Sequence, residues 1–146
     1  MYDFIKQQLA STVPFAKHAG VEVTEVAEGE GAARLEQTGV SINHIGSQHA
    51  GALFTLGETA SGAAMAGAFA PVLLGVKPVA GSASINFRRI AKGTIAARAA
   101  TEQPAEELLA LLEEKGKVRF PVNVELIDEC EDIVADMVVE WSVSKT

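Results

Sequence analysis

A single cysteine, Cys130, is all the thiol chemistry this 146-residue chain contains. That excludes a disulfide framework and a thiolate metal site. Its setting, Asp128-Glu129-Cys130-Glu131-Asp132, is a poor one for a thiolate, so no chemistry is assigned to it. Histidines number three. His44 and His49 have no third ligand nearby, and no metal site is expected. Positive charge is also scarce: 12 Lys and Arg against 19 Asp and Glu leave a net charge of −7. A broad nucleic-acid-binding face needs the opposite sign. No apolar run reaches membrane-spanning length unbroken; the richest, Ala50 to Leu74, is interrupted by Glu58, several glycines and Pro71. The opening residues lack the basic start and apolar stretch of a signal peptide. Neither the dinucleotide fingerprint nor the P-loop pattern occurs. These absences lead us to expect a cytoplasmic protein that works without a cofactor, membrane or nucleic acid.

What is present points elsewhere. Hydrophobic residues make up 48% of the chain, more than a lone small domain needs, which hints at a buried subunit interface. Phe4, Ile5 and Leu9 share a face of a short helix over residues 2–12, and Pro14 stops or kinks it. Alternation predicts a hairpin through Val21–Val26 and Ala33–Gln37. A long apolar helix follows from about Ser47 to Phe69. The second half reads as strands around 82–88, 95–99, 118–126 and 135–143, with a helix from Pro104 to Lys115 closed by Gly116. We expect one α+β domain over residues 1–146, an antiparallel sheet wrapped around the long helix.

That helix carries one isolated carboxylate. Around Glu58 stand Leu53, Phe54, Leu56, Ala60, Gly62, Ala63, Ala64 and Met65. An acid among such neighbours is paired, protonated or functional, and desolvation raises its pKa toward the range of a useful general base. Ahead of it runs the polar loop Asn43-His44-Ile45-Gly46-Ser47-Gln48-His49-Ala50-Gly51. Farther on, Phe87-Arg88-Arg89-Ile90-Ala91-Lys92-Gly93 concentrates cations on an acidic protein, as a small phosphate-bearing ligand would require. A solvated strand end is the plainer alternative.

Asn43, then His49-Ala50-Gly51, then Glu58, together with the segment Ser84 to Gly93, resemble the hotdog-fold thioesterases, in particular the phenylacetate-pathway-like acyl-CoA thioesterase group. The resemblance covers roughly residues 15–143. It implies hydrolysis of an acyl-CoA, with Glu58 as base or nucleophile, Asn43 holding water or carbonyl, and His49 in a mainly structural role. Free N–H groups at Ala50 and Gly51 would polarise the carbonyl. Arg88, Arg89 and Lys92 would receive the CoA phosphates. Two departures stand out. Ala50 replaces the first glycine of the pattern, and Val79 and Ala80 stand where some members place a Ser or Thr, leaving Ser82 or Ser84 as substitutes.

Spacing adds a constraint. Ala50 and Glu58 are eight residues apart, roughly 12 Å along a helix, so one carbonyl cannot touch both. A site using both must combine two chains, as in a two-fold homodimer, or a dimer of dimers, with antiparallel central helices. Gly57, Ala60, Ser61 and Ala64 would permit that approach, and the acyl group would lie between the two helices. Two rival functions are a hotdog dehydratase, which would depend on His44, and a non-catalytic acyl-CoA-binding module.

Overall fold

The computed structural model describes residues 1–146. Helix α1 (Tyr2–Thr12) turns Ile5 and Leu9 inward, and Pro14 opens α2 (Pro14–Ala19) as its first residue. Gly20 ends α2 at φ +89°, a left-handed cap that lets its N–H bond back into the last turn. Strands β1 (Val21–Ala27) and β2 (Glu30–Leu35) form the predicted hairpin. The long helix α3 (Ala50–Ala68) comes next, then a 3-10 turn (Ala70–Gly75) and β3 (Val76–Phe87). Strand β4 (Ile95–Thr101), helix α4 (Ala105–Lys115), β5 (Lys117–Ile127) and β6 (Ile133–Lys145) complete the chain. The six strands form one antiparallel sheet in the order β1-β2-β4-β5-β6-β3. Val118, Phe120, Val122, Val124 and Leu126 of β5, with Ala135, Met137, Val139, Trp141 and Val143 of β6, form the inner face and are buried.

Small residues bring α3 close to this sheet. A Cβ on Gly31 of β2 would stand 2.5 Å from the Ala64 nitrogen, and one on Gly57 would stand 2.6 Å from the Met137 sulfur. Gly57, Ala60, Ser61 and Ala64 are therefore buried within their own chain. This corrects their expected role at a second helix. The stripe of α3 that turns outward is different: Gly51 and Phe54 are exposed, and Thr55, Glu58 and Gly62 half-buried.

The start of α3 also differs, at Ala50 instead of Ser47. Gln48 donates its backbone N–H to Ala91 O, and its side-chain amide to Leu35 O and Gly93 O. His49 N–H goes to Ser41 O. These bonds hold Gln48 and His49 out of the helix, His49 in an extended conformation.

Strand β3 begins at Val76, earlier than alternation suggested, and pairs only with β6. On its inner face Ala83 and Phe87 are exposed and Ile85 half-buried, because α3 does not extend over them. A long edge strand with uncovered apolar side chains is a template for pairing with another chain.

Candidate active site

Glu58 lies half-buried on the outward stripe of α3, and burial raises its carboxyl above the ordinary value. No cation pairs with it. Arg88, the plainest structural partner, is bound instead to Asp136, which also accepts from Asn86 at 3.1 Å. Glu58 opens onto a cavity of about 750 Å³ between α1, α2, β1 and α3. Trp141 and Pro78, from the sheet, complete its wall. The indole is fixed: Nε1 donates to Ser61 Oγ at 3.0 Å, and Ser61 Oγ donates to Glu58 O at 2.6 Å.

The loop before α3 is knit to itself. Asn43 Oδ1 accepts from the N–H groups of Ile45 and Ser47 at 3.1 and 3.0 Å, and its Nδ2 donates to Ser47 Oγ at 2.9 Å. Its carboxamide is thus committed to shaping the turn. His49 is the N-cap of α3, its Nδ1 accepting from Gly51 N–H at 2.8 Å. This corrects the expectation of a free Gly51 donor. The N–H groups of Ala50 and Ala52, which the helix cannot pair internally, are left at the positive end of its dipole. The cap makes a first test: His49→Ala should lower folding stability by about 1 kcal/mol, read as a shift in the urea midpoint.

The basic cluster is more engaged than its sequence suggested. Arg88 and Arg89 follow β3, and each faces a carboxylate: Asp136, and Asp132 at 2.8 Å. Lys92 is exposed and unpaired. Exposed pairs of this kind contribute little and exchange partners readily. Ser82 and Ser84 lie opposite Glu140 and Val138, on the outer face of β3. They point away from the side that holds Glu58, which removes them as substitutes for the missing Ser or Thr.

A family model, described as a domain of unknown function (DUF4442), matches residues 3–143. The chain belongs to this DUF4442 family. Its architecture is the hotdog fold, shared with solved structures over nearly all of its length. A Pseudomonas aeruginosa protein of unknown function, described as a probable thioesterase, is 28% identical with a TM-score of 0.85, covering 100% of this chain and 97% of that one. The Escherichia coli PaaI protein of the phenylacetic acid degradation operon is 20% identical (TM-score 0.75; 99% and 94% covered). A Haemophilus influenzae thioesterase is 18% identical (TM-score 0.76; 99% and 91% covered). No curated protein matches the chain in sequence.

Sequence reasoning missed three residues at this candidate site. Trp141 reads as an inward strand residue and nothing more. Ser61 reads as one more small residue. Thr59, one position from Glu58, also lines the cavity; adjacency was its only available signal.

Proposed function

We propose that this DUF4442 protein hydrolyses an acyl-CoA thioester to the free acid and coenzyme A, at sites shared between the subunits of a homodimer. The observation that carries the reading is Glu58: a desolvated carboxylate with no cationic partner, opening onto a cavity large enough for a ligand. Glu58 takes a proton from water as the water oxygen bonds to the thioester carbon. The carbonyl oxygen gains the negative charge, and N–H groups at a helix start stabilise it. Collapse of that intermediate breaks the C–S bond, and the thiolate leaves with a proton to give free coenzyme A. Attack by the carboxylate itself is the covalent variant of the same assignment.

Those N–H groups belong to the partner in this scheme. Along the continuous helix Ala50 stands roughly 12 Å from Glu58. The basic cluster obeys the same arithmetic: Arg88 lies ten residues beyond Pro78 at the cavity wall, roughly 30 Å along the strand. An antiparallel partner strand beside β3 carries the partner's Arg88, Arg89 and Lys92 toward this chain's Glu58, to receive the CoA phosphates. It also covers Phe54, Ala83 and Phe87. Asn43 and His49 act by holding the loop that presents the helix start.

Free-thiol release from short, medium, long and aromatic acyl-CoAs is the direct test. Turnover of any of them supports the reading; none across the panel overturns it. For the dimer, Phe87→Lys should yield a monomer in sedimentation velocity and lower thiol release about a hundredfold or more, since each site loses its donors. A monomer with undiminished turnover would refute the shared site.

A further inference from the structure

A space beneath α1 and α2 of this chain reaches Glu58 directly. We propose that the acyl chain of the substrate lies in this intrachain cavity, passing from Glu58 over Gly62 and the Trp141 ring toward Met65. The proposal rests on the thioesterase reading and adds the substrate class: unbranched medium-length acyl groups.

Three observations support it. The first is lining chemistry. Leu9, Ala16, Val21, Met65 and Trp141 supply apolar wall; of the cations and carboxylates that share the lining with Glu58, Lys17 and Glu22 are solvent-exposed and Lys6 is half-buried. The apolar part of this wall accepts methylenes. The second is an orphan hydroxyl. Thr55 and Ser61 donate back to helix carbonyls, Gly51 O at 2.9 Å and Glu58 O at 2.6 Å. Thr59 lines the cavity, and its hydroxyl is buried with no partner within the protein. An orphan hydroxyl calls for a polar partner, and turning the side chain into the cavity would offer it a thioester oxygen or the attacking water. The third is shape. A Cβ placed on Gly62 would touch the edge of the indole at 3.4 Å, so the glycine leaves room beside the ring that a larger side chain would fill.

Length follows from the helix. Glu58 to Met65 is seven residues, roughly 10 Å along the axis. A staggered chain with bonds of about 1.5 Å and angles of about 111° advances roughly 1.25 Å per carbon, so about eight carbons span that distance. Met65 is buried and closes the far end. Its flexible thioether suits a stop that tolerates small differences in length.

The test compares wild type, Gly62→Leu and Leu9→Ala, each checked for folding by circular dichroism. Two readouts run side by side across acetyl, butanoyl, octanoyl and dodecanoyl groups. One is thiol release from the acyl-CoAs; the other is calorimetric affinity for the matching non-hydrolysable thioethers. Wild-type affinity should climb by roughly fourfold per methylene and level off near eight carbons. Gly62→Leu should weaken octanoyl binding about tenfold or more while holding acetyl within about threefold, and Leu9→Ala, which strips apolar wall, should weaken octanoyl binding about fivefold. Thiol release whose length profile neither folded variant moves overturns the pocket and leaves the hydrolase standing. Length-dependent binding truncated by Gly62→Leu, with no thiol release from any acyl-CoA, keeps the pocket and overturns the hydrolase. Should Gly62→Leu fail to fold, Leu9→Ala alone decides: weakened octanoyl binding with acetyl held supports the pocket, unchanged octanoyl binding sinks it.

Discussion

Glu58→Gln should lower thiol release by roughly a hundred- to ten-thousand-fold, the usual contribution of a positioned general base. The amide keeps the shape and loses the proton-accepting oxygen, so affinity for the thioether analogues should stay close to wild type. Loss of binding along with turnover would instead assign Glu58 to ligand recognition. The pH dependence follows from burial. Only the ionised carboxylate is a base, so the acid limb of kcat/KM should sit above the ordinary glutamate value of 4.5. Stability runs the other way. Because the folded pKa is raised, the native state binds more protons than the unfolded chain between the two values, and stability falls as pH rises through that window. The glutamine removes this slope. Glu58→Gln should therefore melt higher than wild type at neutral pH, with the difference shrinking as pH falls toward 4.5. Equal melting temperatures at both pH values would contradict the desolvation account.

Gly67→Ala should be the most damaging small substitution in the protein. Alanine in place of a glycine in a helix interior gains about 1 kcal/mol of propensity, and less at Gly67, the penultimate residue of α3. Here the new Cβ would stand 1.8 Å from the carbonyl oxygen of Ala27, a backbone atom that cannot swing aside. Helix and hairpin must separate, and overpacking of this kind costs up to about 3 kcal/mol or more. The steric term wins, for an expected net loss of about 2 kcal/mol and a melting temperature lower by about 4–8 °C. Gly62→Ala is the internal comparison. Its Cβ meets only the edge of the Trp141 ring at 3.4 Å, so propensity should prevail and stability should hold or rise. Equal losses at both glycines would mean that general helix flexibility, not close approach to Ala27, governs the effect.

Much of this architecture was legible in the residues because the relevant signals are local. Pro104 and Gly116 bracket α4 as first-turn and cap chemistry demand, and the Val118–Leu126 alternation marks β5 because one face must be buried. Glu58 stood out because no other charged residue lies along the helix. Other features depend on partners far along the chain. Gln48 is held by Leu35, Ala91 and Gly93, so no helix-start rule places the first turn at Ala50. Arg88 looks like a free cation until β6 brings Asp136 beside it. The small residues of α3 announce a close approach without saying to what. The sheet's wrapping directs Gly57 and Ala60 inward and leaves Phe54 outside. Composition predicts the presence of an unburied face; only topology locates it, on the outer stripe of α3 and along β3.

The indole held by Ser61 is the only tryptophan in the chain. All tryptophan emission from this protein consequently originates at the wall of the cavity beside Glu58. No second indole dilutes it, and no label is needed. Spectral position and quenching by a small solute report the polarity and accessibility of that single location. They follow ligand entry on the millisecond scale of a stopped-flow mixer, whether or not any bond is broken.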